Sequence, residues 1–314
     1  MDNACGSGHF LVEILNYLVV KTLDEININD KITNEKLNTE IAEETEKIKN
    51  SLIGFDEKDK EIDQTAVLKR ILLKKIIYGV DFNPFAVELT KLSLWIDTFI
   101  FGTSLSLLKH HIKTGNSLIG SKLKELEFGE TASDLFQNDI MESARELKTK
   151  LANLTNLADT TAEDVKKSKR IYDEEIIPLQ KQLNLILNYI SYTKIRKLEG
   201  INEVPDKSLL ADLWEGNQNG LAKKVEQYND KYKFFNYEIE FPEVFTETKT
   251  GFDIVIGNPP WDKTKFDDKD FFSQFKTDYR TLSKSEQETI EKNLLSKEHI
   301  RKQYEESQKF IKTT

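Results

Sequence analysis

The chain has one cysteine, Cys5, among 314 residues. That excludes an internal disulfide and a cysteine-based zinc site, and it fits a cytoplasmic protein. Long apolar runs are missing too: none approaches the ~20 residues that span a bilayer, so no membrane partner is expected. The chain opens directly on a glycine-rich stretch, so a signal peptide is not expected. A basic excess is also absent. Lys+Arg number 45 against Asp+Glu 54, a formal net charge of -9. Binding to phosphates needs a basic surface, so this piece is not expected to grip nucleic acid strongly by itself, although a locally basic cleft stays open. Histidine is scarce, with 4 residues, of which His110 and His111 are adjacent. Read as part of a strand, they face opposite ways and cannot share one ion, so no metal site is expected.

What is present is enough apolar material for one core and an appendage, with 38% hydrophobic and 32% charged residues. The chain is organised around Gly257-Asn258-Pro259-Pro260-Trp261, preceded by Phe252-Asp253-Ile254-Val255-Ile256. A short β-branched run bounded by Gly and Pro predicts a buried strand that stops abruptly. Each proline lacks an N–H and fixes φ, which stiffens the loop and leaves its carbonyls as acceptors. Asn258 adds a side-chain acceptor and donor, and Trp261 a flat apolar face. Rigid acceptors beside a stacking face suit a planar substrate bearing an amino group, such as adenine. A proline turn beside a core Trp is the plainer alternative.

At the other end, Asp2-Asn3-Ala4-Cys5-Gly6-Ser7-Gly8-His9-Phe10-Leu11 places two glycines before a helical pattern. Such a turn lets a ligand approach the backbone, and the helix N-terminus behind it favours a carboxylate or phosphate. Cys5 and His9 have no acid or base beside them in sequence and read as packed. A buried strand normally precedes such a turn; here only Met1 and Asp2 do, so the chain is expected to be a fragment. Ile76-Ile77-Tyr78-Gly79-Val80-Asp81 reads as a second short strand ending in an acid, with Asn83 as N-cap and Pro84 at the first helical position. An acid at such a strand tip is where doubly wound folds bind ribose hydroxyls, or it only caps the turn. His110 to Gly120, with Asn116 and Ser117, reads as a third strand and turn.

Between these motifs the chain reads as helical. Ile41, Ile48 and Ile53, then Val67, Leu68, Ile71 and Leu72, fit helices around a loop at Gly54 to Glu57. From Leu123 to about Lys197, apolar residues recur at heptad-like spacing with Lys and Glu between them. This predicts an antiparallel helical hairpin projecting as an insertion, with its tip near Asp159-Thr160-Thr161. The expected divisions are residues 1–122 for the first part of the domain, 123–200 for the helical hairpin, 201–262 for the return to the core, and 263–314 for a polar helical tail.

Four motifs in this order resemble the DNA methyltransferases that methylate the N6 amino group of adenine, most closely the type IIG restriction-modification-like subgroup with Asn-Pro-Pro-aromatic. Asp2 to Leu11 looks like that family's cofactor loop, Gly79 to Trp95 its ribose-binding acid and helix, Gly115 to Gly120 its third motif, and Gly251 to Trp261 its catalytic motif. Phe241-Pro242-Glu243-Val244-Phe245 matches a block found shortly before the last. Asn3 stands where the family pattern has proline, and Asn116 where it has Asp.

The resemblance implies an α/β fold with a Rossmann-like class I methyltransferase sheet, incomplete here at both ends and carrying a long helical insertion. In that fold the strand before the cofactor loop lies beside the strand ending in Asn258. It implies S-adenosylmethionine as cofactor, held by Asp2, Ala4, Cys5, Gly6, Ser7, Gly8, Phe10, Asp81, Phe82, Asn116 and Ser117. It implies catalysis by Asn258, Pro259, Pro260 and Trp261 on an adenine flipped out of DNA. DNA, through regions largely missing here, and restriction or defence subunits would be the partners. As a fragment, the chain is expected to have little activity alone. Two rivals are a methyltransferase acting on a protein glutamine or on RNA, and a non-catalytic interaction fragment carried by the helical hairpin.

Overall fold

The computed structural model describes residues 1–28, 33–52, 62–100, 108–126, 135–155, 162–217, 219–246, 249–259, 267–276 and 278–313. Two compact units result, one of residues 1–195 with 203–259, the other of residues 196–202 with 260–314. Among the described residues, the regular sheet of the first unit has two parallel strands, β1 (Gly79–Asp81) and β2 (Ile112–Thr114), with Gly79 opposite Ile112 and Asp81 opposite Thr114. The backbone extends this order further. Asp2 bridges Gly79 in parallel, with Asp2 N donating to Tyr78 O at 2.9 Å and Val80 N to Asp2 O at 2.9 Å. On the far side of Met1, its amino group donates to Ile254 O at 2.9 Å and its carbonyl accepts from Ile256 N at 2.9 Å. That alternation is the signature of a parallel pair.

The run at 252–256 was expected to be a buried strand. It is instead exposed extended backbone, with Ile254 70% and Val255 58% accessible. Among the described residues its cross-chain backbone bonds reach Met1 alone, which is too short a partner for a ladder; a parallel strand becomes buried only between neighbours and helices on both faces. His110 and His111 likewise are not in a strand. They close a four-residue helix, Leu108–His111, and β2 starts after them.

Helices surround these strands. In chain order they are α1 (His9–Ile28), α2 (Thr33–Ser51), α3 (Gln64–Ile76), α4 (Pro84–Asp97), α5 (Leu108–His111), α6 (Leu135–Thr155), α7 (Ala162–Ile171), α8 (Ile177–Leu198), α9 (Lys207–Trp214), α10 (Asn219–Tyr232) and α11 (Tyr237–Glu240). A π-helical stretch, Tyr172–Ile176, joins α7 to α8. The starts are chemically marked. Asn83 Oδ1 accepts from Phe85 N at 2.9 Å with Pro84 behind it, and Asp63 and Asp206 cap α3 and α9 in the same way.

Leu11 and Leu15 of α1, Leu73 of α3, and Val87 and Leu94 of α4 pack with Ile112 into one core cluster. Each such side chain contributes roughly 1.5–3 kcal/mol on burial. The largest cluster forms around α8, whose Leu183, Ile186, Leu187, Tyr189, Ile190 and Tyr192 meet Leu147 and Leu151 of α6, Leu210 of α9 and Val225 of α10. Asn188, Ser191 and Thr193 of α8 are buried as well, so this helix is covered on several faces rather than along one stripe.

Two polar devices tie α8 to the segments packed on it. Asn236, 1% accessible, donates to Asn184 and Asn188 at 2.9 and 2.8 Å and accepts from Ser121 N at 2.9 Å. Lys113 of β2 reaches Glu240 at 2.6 Å, while Asn184 donates to the other Glu240 oxygen at 2.7 Å. Burial opposes the charge on Lys113, yet Glu240 beside it holds its pKa above the usual lysine value.

The second unit is helical: α12 (Asp268–Ser273), a short 3-10 turn at Tyr279–Thr281, α13 (Lys284–Leu295) and α14 (Glu298–Thr313). Phe271, Phe272, Tyr279 and Ile300 form its core. The predicted loop at Gly54 to Glu57, the hairpin tip at Asp159 to Thr161, and Ile53 lie outside the described residues.

Candidate functional site

The site is built from loops at the carboxyl ends of the parallel runs. Cys5 N donates to Val80 O at 3.0 Å, which ends the pairing of the first run with β1. The chain then turns through Gly6 and Gly8, with φ of +54° and +86°, before α1 begins. Positive φ at both positions suits glycine. At Gly8 there is a second reason: an added Cβ would lie 3.1 Å from Thr90 Cγ2 and 3.2 Å from Thr90 Cα of α4. Thr90 also donates to Gly6 O at 2.8 Å and contacts Cys5 Sγ at 3.6 Å. The sequence reading missed Thr90. Its signal was a polar residue at helical spacing between Val87 and Leu94 on the buried face of α4.

Asp81, at the tip of β1, clamps the loop. One carboxylate oxygen accepts from Gly6 N at 2.8 Å and the other from Asn83 N at 2.8 Å. The same acid therefore ties the glycine turn to the start of α4. A carboxylate has about four lone-pair sites, so two remain for a hydroxyl-bearing ligand. Phe82 follows with half its surface exposed, and Ser7 and Phe10 are exposed on the glycine loop and first turn of α1. Ala4 is half-buried and its N–H donates to Asp2 Oδ1 at 3.0 Å.

Cys5 is buried, as expected, and burial pushes its thiol up to about 11, so it is a neutral packed group. His9, expected to be packed, is exposed at the start of α1. Asp2 is 1% accessible. Burial raises its carboxyl above the ordinary range, against the bond from Ala4 N. Its second oxygen, Oδ2, is buried without a hydrogen-bond partner among the described residues. A buried carboxylate oxygen left in that state is costly, about 1–3 kcal/mol or more.

The third loop follows β2. Gly115 N donates to Asp81 O at 2.9 Å, and Asn116 bridges Phe234 in parallel. Asn116 Oδ1 accepts from Leu118 N at 3.1 Å, so its acceptor is turned into its own loop. Ser117 O accepts from the hydroxyl of Tyr237 at 3.1 Å, and burial pushes that phenol up to about 12.

The fourth is Gly257-Asn258-Pro259, all three exposed. A Cβ on Gly257 would fall 2.7 Å from Asp2 Oδ1 and 3.0 Å from Asn3 Oδ1. The two ends of the organising pattern therefore touch, 255 positions apart in sequence. Pro260 and Trp261 lie outside the described residues. The Phe-Pro-Glu-Val-Phe block stands behind this loop: Phe252 packs edge-on against Phe241, Phe245 and Tyr78. Among the described residues, no three His, Cys, Asp or Glu side chains gather closely enough to hold a metal ion.

The arrangement offers a glycine turn at a helix N-terminus, an acid at the next strand tip, and an amide beside a proline on the following edge. Ligands in open α/β sheets bind outside such carboxyl ends. Comparison with known sequences points the same way. A putative type II restriction enzyme and methyltransferase from Methanocaldococcus jannaschii is 26% identical over 305 residues, taking in 83% of this chain and 22% of that protein. The chain thus spans about a fifth of that relative's length. No solved structure matches. The sequence profile described as Eco57I restriction-modification methylase matches residues 75–311, a stretch that contains Asp81, Asn116 and Asn258. The chain belongs to the Eco57I restriction-modification methylase family.

Proposed function

We propose that the chain carries the methyl-transfer site of a cytoplasmic restriction-modification enzyme, which moves a methyl group from S-adenosylmethionine to the exocyclic amino group of adenine in DNA. The observation that carries this reading is the convergence of the Asp2–Gly8 loop, Asp81, Asn116 and Gly257–Pro259 at the carboxyl ends of neighbouring parallel runs. The order β2, β1, Asp2, then 254–256 puts the run before the glycine loop beside the run before Asn258. That is the neighbour relation expected of a Rossmann-like class I methyltransferase sheet.

The residues present fit the cofactor. A Cβ at Gly8 would be strained by its positive φ and crowd Thr90, the turn feeds a helix N-terminus, and Asp2 Oδ2 is an acceptor with no partner among the described residues. In this reading Asp2, Ala4, Cys5, Gly6, Ser7, Gly8 and Phe10 surround the amino-acid end. Asp81 accepts from the ribose hydroxyls, and Phe82, Asn116 and Ser117 border the adenine. When bound, S-adenosylmethionine supplies an electrophilic methyl group on a sulfonium.

The chain's own contribution is orientation. Asn258 and the carbonyl of Pro259 accept from the target amino group. Pro260 stiffens the loop, and Trp261 stacks on a base flipped out of the duplex. Acceptors so placed aim the nitrogen and stabilise the positive charge that develops on it, and no covalent intermediate is needed. With a formal net charge of -9, further DNA contacts are assigned to other regions or to restriction or defence subunits.

The test is tritium transfer from labelled S-adenosylmethionine into duplex DNA, RNA and protein by the complete gene product, with Asn258→Ala beside the wild type. Labelling of adenine N6 in DNA, reduced roughly 10²–10³-fold by the substitution, is expected. Label in RNA or in a protein glutamine instead would contradict the choice of acceptor.

A further inference from the structure

The Phe241-Pro242-Glu243-Val244-Phe245 block stands behind the Asn258 loop and carries one residue that its core does not need. Tyr78, Phe241 and Val244 are buried together there, with Phe252 packed against them. Glu243 sets a carboxylate beside this aromatic cluster. Burial raises its carboxyl above the ordinary range, and one of its oxygens is buried with no hydrogen-bond partner among the described residues. The charged groups facing it offer little in return. Lys113 is engaged by Glu240 at 2.6 Å, and His111 Nε2 stands 3.6 Å from Glu243, too far for a hydrogen bond. Replacing a buried polar pair by well-packed apolar groups is often neutral or stabilising. Core stability therefore gives no reason for an acid at this position.

Tyr78 does give one, because its hydroxyl donates to the Glu243 carboxylate. Tyr78 directly precedes β1, whose tip is Asp81. Its ring stacks on His111 with centroids 4.1 Å apart, and it meets Phe241 and Phe252 edge-on at 5.1 and 5.3 Å. Edge-on contacts depend on the orientation of the ring, and the bond to Glu243 fixes that orientation. Phe252 is half-buried, whereas every residue from Asp253 to Pro259 is exposed. Phe252 is thus the last side chain seated in a core before Asn258, and its seat leans on Tyr78.

We propose that Glu243 is a positioning residue for methyl transfer: through the Tyr78 hydroxyl it orients the ring that seats Phe252, and so aims the Asn258 loop relative to Asp81. The proposal rests on the function proposed above and adds to it a residue that touches neither cofactor nor target base. Removing the hydroxyl and the carboxylate together leaves the core packed but frees the ring, and Phe252 shifts with it. A misplacement of about 1 Å at a reacting centre costs on the order of 10²-fold in rate. Cofactor binding, held by the glycine loop and Asp81, stays as it was.

Steady-state methylation of duplex DNA by the complete gene product tests this on the wild type, the double variant Glu243→Leu with Tyr78→Phe, and Glu243→Gln. Turnover is counted per S-adenosylmethionine site found by calorimetry, so misfolded enzyme does not enter kcat, and urea unfolding of the same substitutions in the 314-residue chain reports stability. The double variant should unfold at the wild-type urea concentration or above, bind S-adenosylmethionine with the wild-type Kd, and lose roughly tenfold to a hundredfold in kcat. Glu243→Gln, which keeps an acceptor for the Tyr78 hydroxyl, should return kcat to near the wild-type value. A wild type that transfers no methyl group to DNA contradicts the proposed function, and this inference with it. If the double variant keeps the wild-type kcat, if it loses stability or cofactor affinity along with turnover, or if Glu243→Gln is as slow as the double variant, the inference fails while the proposed function stands.

Discussion

Asp81→Asn is the most informative single change, because it separates a structural duty from a ligand-binding one. The carboxylate accepts two backbone N–H bonds, from Gly6 and Asn83, both at 2.8 Å. A hydrogen bond to a charged group contributes about 1.5–3 kcal/mol. An amide keeps one acceptor and turns a donor toward the other N–H. One bond is then lost, the survivor is weakened, and water reaches part of the half-buried site. The net cost is about 2 kcal/mol. It should appear in urea unfolding without any ligand, as a lower midpoint with an unchanged slope. The loop at Gly6–Gly8 should loosen, and calorimetry should show S-adenosylmethionine binding reduced beyond what the lost stability explains. If Asp81→Asn unfolds at the wild-type urea concentration, the clamp does not carry the glycine turn, and the argument from Asp81 to loop geometry fails.

Further tests follow from other residues. His111 is buried, and burial lowers its pKa to about 4 against bonds to the backbone of Leu73 and Ile77, with Lys113 adding to the depression. The unfolded chain therefore takes up this proton first. Stability from His111 is complete above about pH 6.5 and is lost as pH falls toward 4, about 2 kcal/mol between pH 7 and 5 at 1.36 kcal/mol per unit. Glu243, 3.6 Å from the imidazole and raised by burial, works in the opposite sense. The clean observable is thus the difference between wild type and His111→Phe in urea titrations across that range. Parallel acid limbs would refute it. Gly257→Ala places a Cβ 2.7 Å from Asp2 Oδ1; methyl transfer by the complete gene product should fall at least tenfold while thermal stability, set by buried cores elsewhere, changes little. Asn236→Ala leaves Ser121 N and two amide oxygens unpaired and should cost about 2–4 kcal/mol in urea unfolding. Cys5, with its thiol near 11, should resist alkylation at pH 8 until the chain is unfolded.

Much of the candidate site's backbone geometry was legible because it is local. Gly6 and Gly8 before a helical pattern, and Asn83-Pro84 as cap and first turn, each declare a backbone geometry that neighbours cannot change. Asp81 declared its strand tip, but not that its oxygens tie Gly6 to Asn83, because that bond spans 75 positions. The run Phe252 to Ile256 misled for the opposite reason. Its β-branched composition reports a preference for pleated, half-buried surroundings, and among the described residues Met1 alone supplies the pairing. His110 and His111 fell on the wrong element since a single helical turn ending at a strand leaves no periodicity to read. α8 read as one stripe of a hairpin because Asn188, Ser191 and Thr193 are polar by name. Their burial depends on partners contributed by distant segments, as the Asn236 network shows.

The central claim is that one ligand site lies at the carboxyl ends of the parallel runs. Hydrogen–deuterium exchange with and without S-adenosylmethionine tests it most directly. Slowed exchange is expected at residues 3–9, 82–83, 116–118 and 257–258 together, with the core of α8 unchanged. Slowing confined to other segments, or none at saturating cofactor, would contradict it.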